Sequence, residues 1–594
     1  MPQFEFSRFL NVRNAYSPSI SPDGARVAFL SDITGMPQVW SVPIEGGWPD
    51  QLTFHTERVA TVDYALDGGH ILYGMDTGGN ERQGLHTVTP DGADARPLET
   101  APDVIHSWGA WSADGSRFAY ASNARDQRFS DLYIRPLDGP ATMVYRHDST
   151  NMALAWHPNG RSLLFTRLNT YLDTDLFLLD LASGEARLLT AHEGEAIHAS
   201  PRFVGETALL LISNRDREFR APASLDLTTG EMRYLAETTW EAEELTATDD
   251  GRVVAYTVNE DGYSRLHLTV NDKPVAVSGV PDGVIAGLDL SRDGGTLVFA
   301  HYGATRNGNI WGVETATGRA RQITNASRAG IPIDALVEPE LVHYTSFDGL
   351  VCPAFLYRPR GVRGPLPTVI SVHGGPEGQA RPMFSPNVQY FVHRGFAVLA
   401  TNVRGSTGYG KTYGHMDDVR KRMDSVADLD AAAAWLIASG TAPAKRIAVM
   451  GGSYGGFMTL AALTTYPERW RCGVELFGIA NFVTLLEKTG PWRRKLREAE
   501  YGNLEDDRDF LVSVSPIHKA DRIVAPLLVF HGTNDPRVPI GESEQIVDTL
   551  RTLGREVEYF RYEHEGHGFV RLPNRIHCAE ATAAFLERHL STKS

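Results

Sequence analysis

Two rhythms of apolar and polar positions divide this chain. In the first half, short β-branched and aromatic runs such as Arg26-Val27-Ala28-Phe29-Leu30, Arg117-Phe118-Ala119-Tyr120 and Thr296-Leu297-Val298-Phe299-Ala300 alternate with tight polar corners. The corners recur as Ser21-Pro22-Asp23-Gly24, Leu66-Asp67-Gly68, Ala113-Asp114-Gly115, Pro158-Asn159-Gly160, Asp249-Asp250-Gly251 and Arg292-Asp293-Gly294, with a degenerate one near Phe203-Val204-Gly205-Glu206. They fall about 45 residues apart, and a period of that length filled with short strands predicts the four-stranded blades of a β-propeller. Seven blades fill roughly residues 16 to 325. A pair of β-sandwiches shares the short strands and Asp-Gly turns but not the even spacing.

From about residue 335 the rhythm changes to apolar strands alternating with helices, which implies a parallel sheet covered on both faces. Pro367-Thr368-Val369-Ile370-Ser371-Val372 ends at His373-Gly374-Gly375-Pro376, and Ala397-Val398-Leu399-Ala400-Thr401 ends at Asn402-Val403-Arg404-Gly405. The expected architecture is therefore a two-domain chain: a seven-bladed β-propeller over residues 1–330, its first 15 or so packing on the second domain, followed by an α/β domain over 331–594 for which the strand-end motifs described next specify an α/β-hydrolase fold.

The chemistry gathers at the strand ends of the second half. Ile447-Ala448-Val449-Met450, Gly451-Gly452-Ser453-Tyr454-Gly455-Gly456 and Phe457-Met458-Thr459-Leu460 read as strand, tight corner and helix, the layout of a nucleophile elbow. Two later strand ends carry Asp535 and His567, and Ser, Asp, His is the chain order of an α/β-hydrolase triad. Ser453 is then the nucleophile, His567 the base and Asp535 the acid that orients it. The oxyanion donors expected are the backbone N–H of Tyr454 and that of Gly375. Asn534, a neutral amide, cannot replace Asp535. Arg404 is a candidate for orienting substrate, or for tying neighbouring loops together by internal ion pairs.

Composition narrows the classes. The 594 residues exceed what one core supports. A formal charge of -16 argues against nucleic acid or an anionic membrane as partner. Cys352, Cys472 and Cys578 are too few and scattered for a disulfide framework or a zinc site. The start Met1-Pro2-Gln3-Phe4-Glu5-Phe6 lacks a basic region followed by an apolar core, and no long apolar run occurs, so a cytoplasmic location is expected. No metal or organic cofactor is implied, since nucleophile, base and oxyanion donors all come from the chain. Trp240-Glu241-Ala242-Glu243-Glu244 is a candidate acidic site for a peptide amino terminus, set against an ordinary solvated loop.

Taken together, His373-Gly374-Gly375-Pro376, the run Asn402 to Gly410, Gly451-Gly452-Ser453-Tyr454-Gly455-Gly456, Gly532-Thr533-Asn534-Asp535-Pro536-Arg537-Val538-Pro539 and Glu565-Gly566-His567-Gly568 resemble the prolyl oligopeptidase family of serine peptidases. The acylaminoacyl-peptidase branch is the nearest, because other branches carry a tyrosine where this chain has His373. The resemblance implies an exopeptidase acting on short peptides through an acyl-enzyme, with the propeller as size filter. It also implies a capacity for homo-oligomer formation. An N-acylated terminus needs an apolar pocket, for which Phe457, Phe477, Phe482 and Trp492 are candidates. The alternative is a carboxypeptidase, in which Trp492, Arg493, Arg494 and Arg497 lie over the pocket and a guanidinium grips the terminal carboxylate; a solvated helix face is the competing reading. An oligopeptide endopeptidase, an esterase, and a propeller interaction protein with an inactive hydrolase domain complete the alternatives.

Overall fold

The computed structural model describes residues 4–591, so Met1, Pro2 and Gln3 of the amino-terminal segment lie outside the described residues. Seven four-stranded antiparallel sheets follow one another through residues 15–51, 59–99, 106–145, 150–188, 198–234, 241–274 and 284–322. They form a seven-bladed propeller. Each predicted corner joins the first and second strands of its blade. The reason is local: Asp23, Asp114, Asp250 and Asp293 each accept a backbone N–H two residues on and a Ser or Thr hydroxyl two residues back. The glycine after the aspartate takes a positive φ, for example +72° at Gly24. Apolar clusters between neighbouring blades close the ring, with Phe29, Ile310 and Val298 joining the first blade to the seventh.

The second half is built on an eight-stranded sheet: β1 (Glu340–Thr345), β2 (Val351–Tyr357), β3 (Thr368–Val372), β4 (Ala397–Thr401), β5 (Ile447–Gly452), β6 (Cys472–Leu476), β7 (Leu527–Gly532) and β8 (Val557–Tyr562). Its order is β1-β2-β4-β3-β5-β6-β7-β8, antiparallel at β1-β2 and β2-β4 and parallel elsewhere. One face is covered by a core containing Leu429, Phe457, Leu460 and Ile546, the other by one containing Phe391, Phe530 and Phe585. Helix α1 (Phe6–Leu10) precedes the propeller yet packs on this second face, with Phe6 stacked 3.8 Å from Tyr390. The three cysteines are free and buried. No helix among the described residues is long and apolar enough to cross a membrane.

Candidate active site

The site begins where β5 runs into helix α2 (Tyr454–Thr465). Ser453 sits between them with φ +59° and ψ -123°, a conformation that costs a non-glycine residue on the order of 1–3 kcal/mol. The surroundings leave no slack. A Cβ at Gly455 would meet the Val372 carbonyl at 2.3 Å, and one at Gly456 the Gly478 Cα at 2.6 Å. The serine is held by its own N–H, bonded to Leu476 O at 2.9 Å. Its half-exposed side chain faces Gly374, whose added Cβ would lie 3.9 Å from the Ser453 Oγ. The N–H of Tyr454 belongs to the first turn of α2, where no helical partner exists. It is therefore free to meet a developing oxyanion, as the helix dipole also favours.

The loop after β3 supplies the opposite wall. His373 donates from Nδ1 to Gly374 O at 2.8 Å, and its Nε2 lies 2.8 Å from Ser406 Oγ. Gly375 O accepts from Arg497 Nη1 at 3.2 Å and the Tyr501 hydroxyl at 3.3 Å. The loop carbonyl is thus turned away and anchored.

Past β7, Asp535 takes two backbone N–H groups on Oδ1, from Arg537 at 2.8 Å and Val538 at 2.9 Å. Its Oδ2 takes His567 Nδ1 at 2.7 Å. Burial alone would raise this carboxyl, but the hydrogen bonds and charges of His531 and His567 hold it well below the usual carboxylate range. A carboxylate on Nδ1 fixes the tautomer that leaves His567 Nε2 bare, the form a general base needs. Phe477, at φ +40°, packs its ring 4.8 Å from the His567 ring.

Residues 382–593 match the profile described as the prolyl oligopeptidase family. Over those residues the chain is similar to that family, and the match indicates a serine peptidase. It is 26% identical over 97% of its length, and 87% of the other's, to Dipeptidyl aminopeptidase BIII of Pseudoxanthomonas mexicana. To Acylamino-acid-releasing enzyme 1 of Oryza sativa subsp. japonica it is 25% identical over 38% of its length and 30% of the other's. Among solved structures, a puromycin hydrolase shares the fold with a TM-score of 0.88 at 20% identity, over 100% of this chain and 97% of that one.

The remaining predicted residues of the peptidase separate sharply. Arg404 is 4% exposed and spends its fork on Asp348 and Asp428, with Phe347 under the guanidinium; it ties loops together and is withdrawn as a substrate contact. Arg494 pairs with Glu498 along its own helix, on its half-exposed face. Arg497 is bonded to Glu377 at 2.8 Å and lies over the propeller's Tyr171 at 4.1 Å, so it braces the loop after β3 rather than standing free. Trp492 is half-exposed against Gly490.

Arg493 differs from all of these. Among the described residues its guanidinium has no ion pair or hydrogen bond, and its Nε is buried without a partner. Burial depresses its pKa below the ordinary arginine value, with Arg497 and Arg537 acting in the same direction and Tyr171 and Glu81 against it. Helix α3 (Pro491–Tyr501), which carries it, starts against the acid loop through Gly490 N to Pro536 O at 2.9 Å and reaches Gly375 O through Arg497 and Tyr501. Arg493 lies between these two anchor points.

Two apolar and acidic candidates dissolve into structure. Phe457 and Phe482 are 0% and 1% exposed, packed on each other in the core. In the acidic stretch Glu241 pairs with Arg220, Glu243 with Arg381 of the hydrolase half, and Glu244 accepts the N–H groups of Gly287 and Leu288. An arginine 138 residues away, as Arg381 is from Glu243, leaves no signal in the local sequence. Arg422 is likewise buried, between Asp417 five residues before it and the more distant Tyr454 and Glu500, beneath the elbow. Asp417, Asp418 and Glu500 are the one grouping among the described residues with ligand atoms close enough to hold a metal ion, within 4.8 Å. Arg422 already spans two of them.

Proposed function

We propose that the peptidase hydrolyses short peptides as an exopeptidase, with Ser453 attacking the acyl carbon, His567 taking and returning its proton, and Asp535 stabilising the imidazolium. Tyr454 N–H and Gly375 N–H stabilise the tetrahedral oxyanion. Residues 331–594 act as the catalytic unit and 1–330 as the filter over it. The observations that carry the reading are the Asp535–His567 pair at 2.7 Å and a serine held at an elbow at the end of β5. Ser453→Ala should abolish turnover of peptides and of matched esters while leaving the fold intact.

The end of the peptide that is read has two candidates. The acylaminoacyl reading needs an apolar pocket, and burial of Phe457 and Phe482 removes half of its proposed lining. The unpaired Arg493 favours the second reading, a carboxypeptidase in which this guanidinium forms a two-pronged pair with a terminal carboxylate. A charged hydrogen-bonded pair contributes roughly 1.5–3 kcal/mol. Arg493→Ala should therefore lower kcat/KM about 10- to 100-fold for peptides with a free carboxy end and leave amidated peptides unchanged. Product analysis of one peptide in free, acetylated, amidated and doubly blocked forms decides between the ends. Loss of a residue from the acetylated form alone would establish the acylaminoacyl reading.

A further inference from the structure

Asp535 is faced by a second imidazole. His531, the β7 residue four positions earlier, is 0% exposed, and its Nε2 lies 2.8 Å from Val538 O and 3.5 Å from Asp535 Oδ2. A carbonyl only accepts, so Nε2 carries a hydrogen and the variable position is Nδ1. The sole hydrogen-bond partner of Nδ1 among the described residues is the Ser543 hydroxyl at 2.7 Å. That hydroxyl stands 3.5 Å from Oε2 of Glu475, also 0% exposed, at the end of β6. Oε1 of Glu475 accepts the Gly478 N–H, one residue past the Phe477 that packs on His567.

This row has two arrangements of equal net charge. In one, His531 is an imidazolium donating from Nδ1 to Ser543, and Ser543 donates to the Glu475 carboxylate. In the other, a proton has passed from Nδ1 to Ser543 Oγ as the serine's own proton passed to Oε2; both ends are neutral, and every bond is made in reverse. We propose that His531, Ser543 and Glu475 form a buried proton relay that sets how much of the Asp535 charge is left for His567.

In the resting peptidase His531 holds the proton and shares Asp535 with His567. As His567 becomes an imidazolium, two cations would face one carboxylate. Passing the relay proton to Glu475 removes the second, so the base is strengthened when its charge develops. Burial pushes the Glu475 carboxyl up to about 7, which brings both arrangements within reach at neutral pH. His531 is pulled down by burial, yet Asp535 and Glu475 raise it on balance. The other charged groups facing it are His567 and, from the next helix, Glu542, whose carboxylate is taken by Ala480 N, Asn481 N and the Thr484 hydroxyl. These are positioning residues, since none is placed against substrate, and the inference rests on the triad proposed above.

The test is the pH dependence of kcat/KM for the full chain and for Ser543→Ala, Ser543→Thr and Glu475→Gln. The acid limb reports proton loss from the base in the free enzyme. In Ser543→Ala and Glu475→Gln a charged Nδ1–H loses its acceptor or its counterion, so His531 stays neutral. Asp535 then acts undivided on His567, and the acid limb should move up by about one pH unit. Ser543→Thr keeps a hydroxyl and should restore the wild-type limb. Lower activity at every pH with the limb unmoved in both variants would overturn the relay. Ser453→Ala, assayed alongside, tests the acyl-enzyme reading independently.

Discussion

Replacing Arg404 with alanine separates a structural cation from a substrate-binding one. Its guanidinium makes hydrogen bonds to Asp428 at 2.8, 3.0 and 3.2 Å and to Asp348 at 3.0 and 3.0 Å. The two carboxylates are not equivalent. Asp348 has a side chain 42% exposed, and an ion pair so open to water contributes at most about 1 kcal/mol. Asp428 is 0% exposed, and without Arg404 it keeps only the Ser346 hydroxyl and the residue-404 N–H as partners. Leaving a buried charge uncompensated costs about 3–5 kcal/mol. For a domain of this size that corresponds to a fall in apparent melting temperature of roughly 6–20 °C. Thermal unfolding followed by circular dichroism, with kcat/KM measured well below the transition, reads both quantities. The expected result is a large stability loss with near-normal kinetics. Adding Asp428→Asn to Arg404→Met should recover much of the loss, because the pair is then removed together. A variant of unchanged stability whose KM is raised would refute the reasoning and return Arg404 to the substrate.

Two further outcomes follow from close packing and burial. A Cβ at Gly566 would lie 1.8 Å from the carbonyl of the propeller's Gly79, so Gly566→Ala must displace the loop that carries His567. A shift of about 1 Å can cost on the order of 100-fold in rate. Steady-state kinetics against Gly541→Ala, where the added Cβ meets nothing within 4 Å, checks this; equal activities would show that the propeller loop yields instead. Burial raises Glu542 from 4.5 to about 7, so the native carboxyl holds its proton more tightly than the unfolded one. Its contribution to stability is complete below about pH 4.5 and is lost as pH rises through about 7. Urea unfolding at about pH 5 and about pH 8 should show a smaller loss in Glu542→Gln than in the wild type; identical losses would show that Glu542 is not the titrating group.

What could be read from the chain was whatever is encoded locally. The blade corners are legible because Asp23-Gly24 and its repeats satisfy their own turns within five residues. The elbow is legible because Gly455 and Gly456 touch backbone that no side chain could share. Phe457 and Phe482 read from sequence as pocket candidates because a helix pattern gives no sign of which aromatic residues face the core and which a cavity. The acidic stretch from Glu241 looked available because Arg381, which pairs with Glu243, lies 138 residues further on. Arg493 and Arg494 are neighbours in sequence and alike in chemistry. Only the fold distinguishes the one that reaches Glu498 from the one that reaches nothing.

The segment that carries α1 out of the hydrolase and into the first blade runs beside the one leaving the seventh, with Arg13 N bonded to Ser327 O at 2.8 Å and Asn307 Nδ2 to Arg13 O at 2.6 Å. The ring is therefore strapped to its base twice at one edge and nowhere else by covalent chain. Any tilt of the propeller would take this pair of straps as its axis. In such a tilt, travel would be greatest on the opposite rim, in the fourth and fifth blades. There the contacts between the halves include Lys411 Nζ to Glu195 O at 2.6 Å, Thr412 to Glu218 at 2.8 Å, and Arg497 over Tyr171. A substrate admitted by tilting would enter past Tyr171, beside the one arginine of that helix left without a partner.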